Sequence, residues 1–174
     1  VRAMAAEGTP FRGCLFFGLM LTPQGPKVLE YNARFGDPET QVVFTLLQNS
    51  PLDAFLHCRN GGLRADDLRF DTGSACCVVL ASGGYPGAYE KGKVITGIAN
   101  AETLDGVTVF MAGVKQQGDD LLTSGGRVLN VTATAPTLTE TIEKAYAAVE
   151  RIHFDGAHYR TDIGRKAFRH LPST

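Results

Sequence analysis

No stretch of this 174-residue chain stays apolar for long enough to cross a bilayer as a helix. A secretory leader is not written at its start either: Arg2 and Glu7 flank only a short Ala-Met-Ala-Ala stretch. Neither sign of charge is in excess. Seventeen basic and eighteen acidic residues leave a net charge of -1, which argues against a nucleic-acid binder working by phosphate neutralisation. Cysteine is sparse, and Cys14, Cys58, Cys76 and Cys77 lack the paired spacing of a metal site. Adjacent Cys76 and Cys77 would point to opposite faces of a strand. All four read as buried, reduced thiols of a cytoplasmic protein. His57, His153, His158 and His170 are scattered without partners, and none forms a His-x-x-x-His pair. The Gly-x-x-x-x-Gly-Lys-Ser/Thr phosphate loop is missing, as are long repeats and low-complexity tracts. With 44% hydrophobic residues, the chain can bury one sizeable core and a smaller unit.

Against these absences, the run from Lys27 to Gln41 is dense in functional side chains. Residues two apart on a strand share a face, so Glu30, Asn32 and Arg34 are expected in one row, with Leu29, Tyr31 and Ala33 turned toward a core. Side-chain oxygens beside a guanidinium suit a metal-phosphate site. Hard cations take oxygen ligands, and arginine grips phosphate or carboxylate in a planar fork. Gly36-Asp37-Pro38 then makes a turn into a helix.

The local pattern predicts an α+β fold. Val1 to Glu7 reads as a helix ended by Gly8, and Phe11 to Leu21 as a buried strand. A turn over residues 22–26 returns the chain antiparallel along Lys27 to Arg34. One helix is expected from Pro38 to about Leu47. Another begins with Ser50 as its cap and Pro51 at its first position, and ends at Gly61-Gly62. From about Leu63 the texture changes to short strands at 74–81, 94–98, 107–113 and 127–134, separated by glycine-rich turns, which suggests a small barrel or sandwich. Thr137-Leu138-Thr139-Glu140 forms a capping box. The stripe Leu138, Ile142, Ala145, Tyr146 and Val149 marks a helix facing the core. The polar stretch at residues 60–67 is the expected boundary between two units.

The wording of the central run adds a resemblance. Glu30-Tyr31-Asn32-Ala33-Arg34-Phe35-Gly36-Asp37-Pro38-Glu39-Thr40-Gln41 is similar to the signature of the glycinamide ribonucleotide synthetases (phosphoribosylamine–glycine ligases), ATP-grasp ligases of purine synthesis. Gly18-Leu19-Met20-Leu21-Thr22 resembles the preceding strand of that family. Ala81-Ser82-Gly83-Gly84-Tyr85-Pro86, Lys91-Gly92-Lys93-Val94-Ile95, Gly125-Gly126-Arg127-Val128-Leu129 and Tyr159-Arg160-Thr161-Asp162-Ile163-Gly164 follow in the family's order. The resemblance covers nearly the whole chain, but only the C-terminal part of the family's polypeptide. It implies the end of an ATP-grasp domain over residues 1–62, then a β-rich, barrel-like C-terminal domain with a late helix over residues 63–174. The N-terminal domain and the nucleotide-holding part of the ATP-grasp domain of the same polypeptide would be missing, so this piece alone is expected to be inactive. Its first unit should expose an apolar face and self-associate.

The implied chemistry is ATP-dependent joining of glycine to 5-phosphoribosylamine, giving ADP and phosphate. The resemblance makes Glu30 and Asn32 the ligands of Mg2+ (or Mn2+). Arg34, next in the row, and Asp37, on the turn, are the candidate catalytic residues, and Gly36, Asp37, Lys91 and Arg127 the candidate contacts to substrate. Arg34 would stabilise the transferred phosphoryl or hold the glycine carboxylate, while Asp37 would bind an ammonium or simply cap the following helix. Glu39 is equally explained by the helix dipole. The turns at 82–86 and 124–127 would offer N–H groups to the ribosylamine phosphate, or serve only as turns. A parent fused to other purine-synthesis domains, another ATP-grasp ligase or carboxylase, and a non-catalytic scaffold stay open as alternatives; nucleic acid and membrane are not expected partners.

Overall fold

The structure, a computed structural model, describes residues 1–169, so His170 lies outside the described residues. By contacts the chain divides into two compact units, one of residues 1–40 and 47–70, the other of residues 41–46 and those from Asp71 on.

In the first unit, α1 (Arg2–Ala6) is followed by a hairpin of β1 (Phe16–Thr22) and β2 (Gly25–Asn32). The two strands pair antiparallel from Thr22 opposite Gly25 to Phe16 opposite Asn32, with a bulge between Gly18 and Leu19. This hairpin differs from the sequence expectation in two ways. Strand β1 starts at Phe16 rather than Phe11, and β2 stops at Asn32 rather than Arg34, because no partner strand continues beyond the Phe16–Asn32 pair. Nor is either strand buried. Leu21 is 83% exposed, Leu29 64% and Tyr31 62%, since the hairpin has only two strands and this unit supplies no layer to cover it. Tyr31 makes an edge contact with Phe17, ring centroids 5.0 Å apart.

Helix α2 (Glu39–Thr45) is a turn shorter than expected. In α3 (Pro51–Asn60), Pro51 occupies the first turn, where a missing N–H costs nothing, and Gly61 closes the helix at φ 75°. Arg12 Nη1 donates to the Arg59 carbonyl at 2.7 Å and so satisfies an end carbonyl of this helix.

The second unit is built on β3 (Ser74–Ser82), β5 (Val107–Met111), β8 (Arg127–Ala135) and β9 (Ala157–His158), ordered β5-β8-β3-β9. A second sheet is ordered β4-β7-β6, from β4 (Val94–Ile95), β6 (Val114–Gln117) and β7 (Asp120–Thr123). The short α4 (Ile98–Ala101) links β4 to β5, and α5 (Leu138–Val149) follows β8. The β-rich α+β character is as expected; among the described residues it takes the form of two sheets rather than a closed barrel. Val78, Leu80, Leu129 and Val131 are fully buried, and each such side chain stabilises by about 1.5–3 kcal/mol. Helix α5 lays Ala145, Ala148 and Val149 on this core, with Ile142 and Tyr146 beside them. Its capping box is formed: Glu140 N–H donates to Thr137 Oγ1 and Thr137 N–H to Glu140 Oε2. Cys76 and Cys77 are buried and form no disulfide, and burial pushes the Cys76 thiol up. Cys14 and Cys58, expected to be buried, are only half-buried. No helix among the described residues is long and apolar enough to cross a membrane.

Candidate active-site segment

The hairpin register decides what surrounds the two oxygen donors. Cross-strand partners share a face, so Glu30 stands beside Gly18 and Asn32 beside Phe16. Glu30 is exposed, whereas Asn32 is half-buried and its Nδ2 is buried without a hydrogen-bond partner. An unmade hydrogen bond of this kind costs about 1–3 kcal/mol, and the fold obtains nothing for it here. Arg34 does not join the row, because it lies past the strand end in a bend. Its Nη1 donates to the Phe35 carbonyl at 2.9 Å.

The turn after Arg34 is drawn tight around Gly36, the one buried residue of that segment. A Cβ at Gly36 would stand 3.2 Å from Glu39 Cβ and 3.0 Å from its carboxyl carbon. The glycine therefore makes room for the Glu39 side chain to fold back. Thr40 N–H donates to the Gly36 carbonyl at 3.1 Å, and the Thr40 hydroxyl donates to the same oxygen. This closed loop fixes the backbone that carries Asp37, whose peptide bond to Pro38 is cis.

The residues expected from the second unit gather around another loop cluster. Ser82 N–H donates to Gly126 O at 2.8 Å and Ser82 Oγ to Gly125 O at 2.9 Å. The Tyr85 ring lies over Gly126, where any Cβ would strike it. Close packing accounts for these glycines without a ligand. In Lys91-Gly92-Lys93 the two lysines part ways. Lys93 is tied to Glu90 at 2.7 Å and Asp155 at 3.2 Å, and the hydrogen bond to Glu90 is the main cause of its raised pKa. Lys91 is exposed, with Nζ 5.9 Å from the Tyr89 ring centroid. Arg127 is exposed at the start of β8.

Sequence reasoning missed the facing of Gly18 and Glu30, the packing of Glu39 on Gly36, and the ion pairs of Lys93. It also read His57 as partnerless; a short 3-10 turn at Ala65–Asp67 brings Asp67 Oδ2 to 3.1 Å from His57 Nδ1. An open cleft of about 510 Å³ in the second unit, lined in part by Asp71, Asp105, Thr134 and Lys144, contains none of the expected residues.

Two oxygen donors on adjacent same-face positions suit a divalent cation that keeps most of its coordination for water and phosphate. Among the described residues no group of three or more His, Cys, Asp or Glu side chains makes a self-sufficient metal cage. The Glu30 carboxylate and the Asn32 Oδ1 are both hard oxygen donors, so this donor set fits the ion that the resemblance implies, while the orphaned Asn32 Nδ2 is an N–H donor left over for a hydrogen-bond acceptor.

Comparison with known proteins identifies the family to which the two units belong. Residues 1–40 match the phosphoribosylglycinamide synthetase ATP-grasp (A) domain, and residues 75–166 match the phosphoribosylglycinamide synthetase C domain. The fold is also similar to the biotin carboxylase domain of the Hydrogenobacter thermophilus 2-oxoglutarate carboxylase (TM-score 0.60, 15% identity, 89% of this chain and 34% of that one). The chain belongs to the phosphoribosylglycinamide synthetase family. It is 50% identical over 164 residues to the phosphoribosylamine–glycine ligase of Chlorobaculum tepidum, covering 94% of this chain and 39% of the relative. The corresponding ligase of Synechocystis is likewise 50% identical, over 95% of this chain and 40% of its own length. The crystal structure of phosphoribosylamine–glycine ligase from Thermotoga maritima superposes with TM-score 0.80 at 42% identity, over 92% of this chain and 39% of that one. The chain thus spans about two fifths of the length of these relatives.

Proposed function

We propose that this chain forms the C-terminal part of a ligase that joins glycine to 5-phosphoribosylamine, with ATP converted to ADP and phosphate. Family membership supports the reaction, and one observation carries the site: the carboxylate of Glu30 and the side-chain carbonyl of the half-buried Asn32 occupy one face of β2. Residues 1–62 then belong to the ATP-grasp domain and residues 63–174 to the C-terminal domain.

In the reaction a glycine carboxylate oxygen attacks the γ-phosphorus and ADP departs. The amine of phosphoribosylamine next attacks the acyl carbon of glycyl phosphate, and inorganic phosphate departs. Chemistry of this type is mostly positioning and charge neutralisation. Glu30 and Asn32 would hold Mg2+ or Mn2+, which would neutralise phosphate charge when bound. Arg34, exposed beyond the strand end, braces the transferred phosphoryl or the glycine carboxylate. Asp37, held by the Gly36 turn, takes an ammonium group. Lys91 and Arg127 supply positive charge for the 5-phosphate. Without the remaining three fifths of the family's polypeptide, the chain is expected to be inactive alone.

A chimera tests this reading, with the chain replacing the matching segment of the Chlorobaculum relative. Glycine-dependent ADP release is expected from the chimera, and a loss of at least ~100-fold from its Glu30→Gln variant. Unchanged magnesium-dependent turnover in that variant would remove Glu30 from the metal site. Lys91→Ala and Arg127→Ala should raise KM for phosphoribosylamine; an unchanged KM returns both to the solvated surface.

A further inference from the structure

We propose that Gly18 is a positioning residue for the Glu30 carboxylate, an inference that rests on the reading of Glu30 as a metal ligand. An ideal Cβ placed on Gly18 would lie 2.9 Å from Glu30 Cγ, 3.6 Å from Glu30 Oε1 and 3.7 Å from the Glu30 nitrogen. Ordinary carbon–carbon contact is about 3.5–4.0 Å. The stem of Glu30 therefore crosses the space above Gly18, and the carboxylate leans over β1. The atom met first is Cγ, close to the backbone, so a rotation at the far end of the side chain does not relieve the contact. A methyl group at residue 18 requires Glu30 to leave this rotamer.

The bulge and the glycine act together. With the register that runs from the turn to the Leu19–Val28 pair, residue 18 would face Leu29; the extra residue at the bulge brings Glu30 opposite Gly18 instead. Glycine inside a strand often marks a bulge or a close approach of another group, and here it marks both. On the same face lies the half-buried Asn32, whose Nδ2 has no hydrogen-bond partner within the fold. Gly18 itself donates nothing to a ligand. It acts through Glu30.

The test uses the intact chain and Mn2+ alone as probe. Paramagnetic broadening of the Asn32 side-chain amide resonance is followed as Mn2+ is added, and thermal unfolding is measured for the wild type, Gly18→Ala, Glu30→Ala and the double variant. Broadening should be lost in Glu30→Gln and should need about 10-fold more Mn2+ in Gly18→Ala, the scale on which groups that orient metal ligands act. Gly18→Ala should lower Tm in the presence of Glu30 but not in the Glu30→Ala background, where the clash is gone. A wild-type Mn2+ response in Gly18→Ala, or Tm changes that simply add, overturns the positioning role. If Gly18→Ala does not fold, a folded double variant supports the role and an unfolded one overturns it. A wild-type Mn2+ response in Glu30→Gln instead overturns the metal assignment, while the Tm cycle still reports on the Gly18–Glu30 contact.

Discussion

His57 Nδ1 and the carboxylate of Asp67 stand 3.1 Å apart, joining α3 to the segment that leaves it. The same Asp67 oxygen accepts the Arg64 N–H at 2.7 Å. That backbone bond is the main cause of the Asp67 carboxyl being held below its ordinary range, with His57 adding to it.

A carboxylate with a depressed folded pKa contributes stability above its unfolded pKa and loses it as pH falls through the folded value. Acid should therefore loosen the 61–70 segment at pH values below the ordinary carboxylate range, and not near neutrality. In an NMR titration the Asp67 midpoint is expected below that of an unperturbed aspartate. Asp67→Asn should raise amide exchange in this segment at neutral pH and abolish its acid dependence. A midpoint at the ordinary aspartate value would contradict the arrangement.

The capping box of α5 gives a prediction for the second unit. Thr137→Ala removes the acceptor for Glu140 N–H, and loss of such a cap costs about 1 kcal/mol. Thermal unfolding should show a fall of a few degrees, with Thr137→Ser close to the wild type. Equal losses in both variants would argue that the methyl group of Thr137, not its hydroxyl, matters.

The uncovered hairpin leads to a third expectation. Leu19, Leu21, Leu29 and Tyr31 are each more than half exposed, and exposed apolar patches of this kind favour association. Sedimentation velocity should show concentration-dependent self-association of the chain, reduced by Leu29→Lys. A clean monomer at all concentrations would count against it.

The core of the second unit was the most legible part of the sequence. Apolar continuity marks β3, the spacing between glycine-rich turns marks β8, and the Thr137 box with its helical stripe marks α5, because local propensity and burial agree there. The hairpin was harder to read. Its Leu, Met and Phe content matches a buried strand, but burial depends on a covering layer that a strand's own residues do not encode. The row of Glu30 and Asn32 followed from strand alternation. Arg34 was wrongly added to it, because the pattern continues past the point where the partner strand ends. Gly18 escaped notice for a geometrical reason: counting back from the turn at Thr22–Gly25 pairs it with Leu29, and only the bulge changes the count. Likewise, the partner of His57 lies ten residues on, across a 3-10 turn with no periodic signature.

That bulge divides the hairpin into two phases. The ladder between the turn and Leu19 keeps one phase; the ladder from Gly18 to Phe16, with Glu30 to Asn32, keeps another. Were the far half to slip into the phase set by the turn, Leu29 would stand opposite Gly18, and Glu30 and Asn32 would turn together to the other side of the sheet.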